Sequence, residues 1–225
     1  PKLVRQLKRI SDNIKSKKIS NYSRKGKIQI DRFIATKITP NTKIFIKNEL
    51  INALEINLLV DTSGSMEYMS GTIAKISASF YEAFHNSKEI KLVVTVFNGS
   101  DYELCFEEIK TKFDISKILN CNNATPTAQA LTILANKMLK TKTKKVVILL
   151  TDGQPNSFNG NVYEYLAKIK NHLHKNNIPL YGILIGSAIR NMSQVFGSDF
   201  IICNNVEDLE NSLTSKLVKI IEEYN

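Results

Sequence analysis

The sequence has few of the residues that mark several common classes of protein. Its three cysteines, Cys105, Cys121 and Cys203, are far apart and form no C-x-x-C pair, so we expect neither a disulfide framework nor a zinc knuckle. No apolar run approaches the roughly 18 residues that span a bilayer. No secretory hydrophobic segment lies near the N-terminus, although the sequence begins with Pro1 rather than Met, and we therefore expect a fragment or a processed form. We predict a cytoplasmic protein without a membrane span.

Two catalytic patterns are missing as well. The sequence contains neither the G-x-x-x-x-G-K-[ST] motif of phosphate-binding loops nor the G-x-S-x-G motif of serine hydrolases. The three histidines, His85, His172 and His174, fall on predicted helices and not at the ends of predicted strands. A serine nucleophile would therefore lack a general base. We predict a protein without catalytic activity, and a hydrolase is the less favoured alternative.

Positive charge is confined to the N-terminal part of the chain. The 225 residues include 31 lysines and arginines against 21 aspartates and glutamates, for a net charge of +10. Residues 1–50 hold 14 of the basic residues and 3 of the acidic ones, so residues 51–225, with 17 and 18, are nearly neutral. We therefore divide the chain into a basic N-terminal extension, residues 1–50, and a main domain, residues 51–225.

The basic extension is predicted to contain a helix and short strands. An amphipathic helix over residues 2–18 would be followed by a polar break at residues 20–27 and by strands within residues 28–48. The apolar positions at helical spacing are Leu3, Leu7, Ile10 and Ile14. Since such a stripe needs an apolar surface, we favour docking on an acidic protein over nucleic-acid binding. The alternative is a solvated face packed on the main domain.

The main domain alternates apolar strands with helices. The predicted strands are residues 55–61, 90–98, 102–109, 144–153, 178–186 and 199–204, and the predicted helices are residues 71–87, 125–140, 162–175 and 206–224. Strands that are apolar throughout are typical of a sheet covered by helices on both faces. The pattern predicts a doubly wound α/β fold with a mostly parallel central sheet and one antiparallel hairpin.

Three polar clusters fall at predicted strand ends or helix starts. "DTSGS" (61–65) closes the first strand of the main domain, "TDG" (151–153) closes another, and "ATPT" (124–127) enters a helix. Ligands in doubly wound folds bind outside the carboxyl ends of the strands. In the usual winding, all three clusters would face that edge. At the third cluster, Thr125 is predicted to be the N-cap and Pro126 the first helical residue.

The three clusters offer hard oxygen ligands and no sulfur or imidazole. They contain the carboxylates of Asp61 and Asp152 and the hydroxyls of Ser63, Ser65 and Thr125. This set suits Mg²⁺, with Mn²⁺ or Ca²⁺ possible, and does not suit zinc. Two carboxylates leave such a cation undersupplied, so a carboxylate from a partner protein could complete its ligand shell. The competing interpretation of the first cluster alone is a strand-to-helix turn.

The order and separation of "DTSGSM", "ATPT" and "LLTDG" resemble the von Willebrand factor A domain and its metal-ion-dependent adhesion site, over about residues 54–224. The resemblance implies that both serines bind metal directly, that the threonine binds directly or through water, and that the aspartates act through water. The implied residues are Asp61, Ser63, Ser65, Thr125 and Asp152. The threonine is often preceded by glycines in that family and here by Asn122, Asn123 and Ala124, which leaves Thr127 as a rival ligand.

The segment before the main domain carries a second resemblance. "KGKIQIDRFIATKI", followed by "KIFIKNE", is similar to the region that precedes the A domain in bacterial cobaltochelatase-type subunits and nitric-oxide-reductase activation proteins. Such proteins work with MoxR-class AAA+ ATPases. This resemblance implies an adaptor of an AAA+ ATPase in a chelatase or enzyme-activation assembly. An adhesion or surface-binding protein is the alternative.

Overall fold

The computed structural model contains a large mostly parallel sheet and a small antiparallel one. It describes residues 4–5, 7–8, 17–23, 27–28, 45–51, 54–87, 89–100, 103–140, 143–156, 160–185, 189–203 and 206–223. The small sheet has the order β1–β3–β2, with β1 Lys17–Ser23, β2 Lys27–Ile28 and β3 Phe45–Ile51, and its strands pair antiparallel.

The large sheet confirms the predicted fold class. Its strands are β4 Leu54–Asp61, β5 Ile90–Gly99, β6 Leu104–Ile109, β7 Lys145–Thr151, β8 Leu180–Ile185 and β9 Phe200–Cys203. They lie in the order β6–β5–β4–β7–β8–β9, and all neighbours pair parallel except β5 and β6. The predicted hairpin is therefore the β5–β6 pair at one edge.

Helices cover both faces of this sheet. They are α1 Glu67–Phe84, α2 Thr127–Met138, α3 Val162–Lys175, α4 Ile189–Phe196 and α5 Val206–Glu223, with 3-10 helices at Gly64–Met66 and Lys112–Leu119. Successive strand residues point to opposite faces. In β4, Leu58 packs in a core shared with α1 and α5, whereas Leu59 packs in a core shared with α2, α3 and α4. Two cores on one sheet explain why these strands are apolar throughout.

Several predicted elements need correction. Thr125 is not an N-cap, because α2 begins at Thr127 and the preceding Pro126 is the cap residue, with no side-chain hydrogen bond. The helix α4 and the 3-10 helix Lys112–Leu119 were not predicted. The strand β1 lies where the helix over residues 2–18 and the polar break were expected to meet. Its seven paired positions with β3 outweigh local propensity.

The start of the chain contacts the main domain. Residues 4–5 and 7–8 are helical, as predicted. Val4 and Leu7 are buried in the core shared with α1 and α5. Leu7 is therefore covered by this chain and does not need a partner to cover it. Leu3, Ile10 and Ile14 lie outside the described residues. Within the described ranges, no helix is both long and apolar enough to cross a membrane.

Candidate functional site

The carboxyl end of β4 places Asp61 inside the molecule. Asp61 is the last residue of the strand and only 1% exposed. Its Oδ1 accepts a hydrogen bond from the Ser63 backbone at 2.9 Å, and its Oδ2 accepts one from the Thr151 hydroxyl at 2.6 Å. Thr151 is the last residue of β7. The second bond therefore joins the ends of two neighbouring strands, as expected for a site at this edge.

The two serines after Asp61 turn their hydroxyls toward each other. The Ser63 and Ser65 Oγ atoms are 3.3 Å apart. Ser63 is buried and Ser65 is exposed, so the pair extends from the interior to the surface. Between them, the Gly64 backbone donates to the carbonyl of Asn123 at 3.1 Å. This bond fixes the serine loop to the loop that leads to Thr125.

Thr125 is held by two hydrogen bonds with Asn156. The Thr125 backbone N–H donates to Asn156 Oδ1 at 3.0 Å, and the Asn156 N–H donates to the Thr125 carbonyl at 2.9 Å. On the other side, the Ala124 N–H donates to the Gly99 carbonyl at 2.7 Å. These bonds keep Thr125, which is buried, in the loop ahead of α2. They are the physical reason that it does not cap the helix.

Asp152 follows β7 and is 7% exposed. Its Oδ1 accepts a hydrogen bond from the Gln154 backbone at 3.1 Å. It lies close enough to Asp61 for its charge to act on that carboxyl group. We call Asp61, Ser63, Ser65, Thr125 and Asp152 the oxygen cluster. Hydrogen bonds thus join the loops that carry all five members at the carboxyl edge of the sheet.

Burial controls the protonation of Asp61. It raises the pKa of this carboxyl group to about 6, from an ordinary value of 3.8. The hydrogen bonds from Thr151 and Ser63 lower the pKa, and the charge of Asp152 raises it further. At neutral pH, ionised Asp61 is therefore a buried anion. Its hydrogen bonds offset only part of the free-energy cost of removing its charge from water. In the described part of the chain, no ion pair involves Asp61 or Asp152.

Sequence reasoning missed two residues that organise this site. Thr151 orients Asp61 and also accepts a hydrogen bond from the Gly153 backbone at 3.2 Å. Its position at a strand end, next to Asp152, was an available signal. Asn156 lies in the loop that follows Asp152 and joins this loop to Thr125 by two hydrogen bonds, and nothing in its local sequence marked it.

The oxygen cluster fits a hard divalent cation. It combines a buried carboxylate that lacks a cationic partner among the described residues with a second carboxylate and two adjacent hydroxyls. Cis ligands of an octahedral cation lie about 3 Å apart when metal–oxygen distances are about 2.1 Å, which the serine pair nearly meets at 3.3 Å. Within the described ranges, no group of three His, Cys, Asp or Glu side chains could hold a metal. The hydroxyls would therefore be needed as ligands.

Thr127, the rival ligand, remains a candidate beside Thr125, whereas the histidines lie elsewhere. The Thr127 hydroxyl is buried at the start of α2 and has no hydrogen-bond partner among the described residues. His85 follows the last residue of α1, about 27 Å along the helix axis from its first turn near the serines. His172 and His174 lie in the last turn of α3. None of the three histidines is placed to activate a serine of the cluster.

Comparisons with known proteins agree with this architecture. A model of the family described as von Willebrand factor type A domain matches residues 55–211. A search of curated proteins gave no match. One similar solved structure is the pilus adhesin SpaC from Lactobacillus rhamnosus GG, with a TM-score of 0.62 and 15% identity. Another is proximal thread matrix protein 1 from the mussel byssus, with a TM-score of 0.57 and 16% identity.

These solved structures are longer than the present chain. The similarity covers 78% of this chain and 31% of the adhesin, and 76% of this chain and 46% of the byssus protein. The chain thus spans less than half of either protein. At such low identity the likeness shows the fold alone.

Proposed function

Because this chain belongs to the von Willebrand factor type A domain family, whose members are protein-interaction modules, we propose that it captures a carboxylate of a partner protein through Mg²⁺ bound at the oxygen cluster. The observation that carries the proposal is the buried Asp61 carboxylate beside the paired hydroxyls of Ser63 and Ser65. Mn²⁺ and Ca²⁺ suit the same oxygen ligands.

Each member of the cluster has a distinct task. Ser63 provides a buried neutral ligand, and Ser65 provides one at the surface end of the site, where a partner can approach. Asp61 and Asp152 provide the negative charge, and Thr151 and the Ser63 backbone hold Asp61 in one orientation. Thr125 adds a hydroxyl from the opposite loop. When bound, the cation supplies the positive charge that attracts the partner's carboxylate.

The oxygen cluster supplies fewer ligands than a bound Mg²⁺ would need. The cluster offers two carboxylates and three hydroxyls, whereas Mg²⁺ takes six ligands and commonly keeps waters. The exposure of Ser65 leaves one side of the site open. A partner carboxylate entering there would replace water and form a charged bond across the interface. The open side of the site supports a binding module, and the positions of the histidines argue against a hydrolase that uses the same serines.

We further propose that the partner assembly contains a MoxR-class AAA+ ATPase, with this chain as its non-catalytic adaptor in the cytoplasm. The support is the sequence before β4, and the structure describes only residues 27–28 and 45–51 of that stretch. An adhesion or surface-binding function is the second candidate, since the pilus adhesin SpaC shares the fold. A direct binding assay between this chain and the AAA+ ATPase whose gene lies nearest to its own would distinguish the adaptor function from the adhesion function.

Carboxylate capture can be tested with two short peptides. The probes are acetyl-Gly-Glu-Gly-amide and its Gln analogue, which has the same shape without the charge. In ¹H–¹⁵N NMR spectra with Mg²⁺, the Glu peptide should shift the amide signals of Ser63, Gly64 and Ser65, and the Gln peptide should not. The shifts should vanish in EDTA and in Ser63→Ala. Equal shifts with both peptides, or shifts that persist in EDTA, would exclude capture through a metal.

The Asn156 bridge gives a separate prediction. Asn156→Ala removes the acceptor of the Thr125 N–H and should weaken Mg²⁺ binding about ten-fold, because residues that orient ligands commonly contribute that much. Asn156→Asp keeps an acceptor oxygen and should restore binding. The matched control is Asn161→Ala, which removes the side-chain N-cap of α3. It should lower stability by about 1 kcal/mol and leave the Mg²⁺ affinity unchanged. The same loss of affinity in both Ala variants would exclude a positioning role.

A further inference from the structure

A pocket of about 640 Å³ lies between the β5–β6 hairpin and the segment that follows the hairpin in sequence. The hairpin contributes Asn98 from β5 and Glu107 from β6 to its lining. The following segment contributes Lys117, Asn120 and Asn122. The pocket is therefore lined mainly by polar side chains, among them several carboxamides.

Two hydrogen bonds connect this pocket to the serine loop of the oxygen cluster. Thr62 lines the pocket and directly precedes Ser63, and its carbonyl accepts the Asn122 backbone N–H at 3.1 Å. Asn123 lines the pocket as well, and its carbonyl accepts the Gly64 N–H at 3.1 Å. A partner segment that places a carboxylate at the oxygen cluster would therefore have its neighbouring residues close to the pocket.

Asn98 brings a buried acceptor to the pocket. It is only 9% exposed, and its Nδ2 atom donates to Thr62 Oγ1 at 3.2 Å and to Asn122 Oδ1 at 3.0 Å. These two bonds use both hydrogens of the amide group. The Asn98 Oδ1 atom accepts no hydrogen bond from any residue that the structure describes. Because a buried acceptor without a partner is unfavourable, a donor group of a ligand would be stabilised at this atom.

Asn122 adds a donor next to this acceptor. Its Oδ1 atom accepts from the side chain of Asn98 and, at 3.2 Å, from the side chain of Asn123. The side chain therefore turns its oxygen toward these two residues and leaves the Nδ2 hydrogens for a ligand. Within the described ranges, Asn122 Nδ2 donates to no residue, and Asn122 is exposed. The pocket thus presents an acceptor and a donor on two side chains that are hydrogen-bonded to each other.

This pair favours a ligand group that both donates and accepts hydrogen bonds. A guanidinium group has only donors and would leave Asn122 Nδ2 without an acceptor, whereas a carboxylate has only acceptors and would leave Asn98 Oδ1 unpaired. Glu107 and Lys117 form an ion pair with each other. Glu103, which is exposed in the pocket lining, would repel a carboxylate. A carboxamide group has the donor and the acceptor that the pocket needs.

We propose that this pocket is a subsite for the carboxamide side chain of an Asn or Gln residue of the partner protein. The proposal rests on the function proposed for the oxygen cluster, whose cation would hold a carboxylate of the same segment. In an extended segment, residues two positions apart point to the same side and lie about 7 Å apart. A glutamate and a glutamine with one residue between them can therefore face the cation and the pocket together. The pocket would then select which acidic segments the cation captures.

The test compares peptides that differ only in the residues beside the glutamate. Acetyl-Gln-Gly-Glu-Gly-Gln-amide presents a glutamine in either chain direction, and its Met and Arg analogues replace both glutamines. In NMR titrations with Mg²⁺, the glutamine peptide should bind at least five-fold more tightly than either analogue. It should also shift the side-chain NH₂ signals of Asn98 and Asn122. All three peptides should shift the backbone signals of Ser63 and Gly64.

Asn122→Asp tests the donor directly. Aspartate keeps an acceptor for Asn98 but replaces the Asn122 amine with a second acceptor. The ratio of the affinities for the glutamine and Arg peptides should therefore fall at least ten-fold. The matched control is Asn120→Asp, which adds the same charge to the lining of the same pocket and leaves the bond between Asn98 and Asn122 intact. It should change this ratio less than three-fold.

Three results would overturn the subsite while the oxygen cluster keeps its function. They are equal affinities for the glutamine and Met peptides, equal changes of the ratio in the two Asp variants, and tighter binding of the Arg peptide by the wild-type protein. The last result would make the pocket a site for cations. If instead no peptide gives Mg²⁺-dependent shifts at Ser63 and Gly64, the function proposed for the oxygen cluster is wrong, and the subsite proposal is wrong with it.

Discussion

Asp61→Asn is expected to make the metal-free protein more stable at neutral pH while abolishing its response to Mg²⁺. The folded-state pKa of Asp61 is about 6 against 3.8 as its ordinary value. The folded protein therefore holds the proton more tightly than the unfolded chain, and stability falls as pH rises from about 4 to about 6. By linkage, the loss approaches about 3 kcal/mol above pH 6. Asparagine has no charge to bury and avoids this loss.

The measurement is urea denaturation of both proteins in EDTA at pH 4 and pH 7.5. Asparagine keeps an acceptor for the Ser63 N–H, and the Thr151 hydroxyl can rotate to accept from the new amide. The stability of the variant relative to the wild type should therefore increase from pH 4 to pH 7.5. Contributions from other titrating groups cancel in this comparison. Saturating Mg²⁺ at pH 7.5 should stabilise only the wild type. A stability difference independent of pH would show that Asp61 is not a destabilising buried anion.

Gly99→Ala is expected to destabilise the fold and weaken the metal site together. Gly99 ends β5 with φ of +149°, and a Cβ atom there would lie 2.1 Å from the Glu103 carbonyl oxygen. The backbone of the hairpin would have to move. The Gly99 carbonyl also accepts the hydrogen bond of Ala124, next to Thr125. We expect a loss of at least about 3 kcal/mol, from the unfavourable φ and the clash combined, and a lower Mg²⁺ affinity.

Substitutions at two other glycines separate the effect of the unfavourable φ from the effect of the clash. Gly160 has φ of +104°, but no described atom lies within 4 Å of an added Cβ, so Gly160→Ala should cost about 1–2 kcal/mol from backbone strain alone. Gly71 lies within α1 with nothing near a new Cβ, and Gly71→Ala should stabilise the protein by about 0.5–1 kcal/mol. Thermal or urea denaturation of the three variants checks the order. If Gly99→Ala lost no more than Gly160→Ala, the hairpin would be able to relax around the added methyl group.

The sequence predicted the α/β architecture because apolar runs of strand length alternate with longer segments that have apolar residues at helical spacing. The helix Val162–Lys175 was predicted to the residue, and it has a polar outer face and an asparagine N-cap. The small sheet was predicted less well, since the pairing of β1 with β3 joins residues about thirty positions apart and leaves little trace in either segment. The domain boundary between residues 50 and 51 stays a prediction.

The sequence predicted which residues belong to the candidate site, but it did not predict which residues hold them in place. Asp61, Ser63 and Ser65 are neighbours in sequence, so their spacing alone indicated a shared loop. The bond from Thr151 to Asp61 joins residues ninety positions apart, and the pair of bonds between Thr125 and Asn156 spans thirty-one. Such contacts depend on the order of strands in the sheet. Whether the five residues bind a cation stays a prediction.

The most direct test of the metal site is a calorimetric titration of MgCl₂ into the metal-free protein at pH 7.5. The account predicts saturable binding of one ion per chain, weakened at least ten-fold in Ser63→Ala. Ser70→Ala is the matched control, because the Ser70 hydroxyl donates to the Glu67 carbonyl within α1 and lies outside the oxygen cluster. It should bind Mg²⁺ like the wild type. Absence of saturable binding, or equal binding by the wild type and Ser63→Ala, would contradict the account.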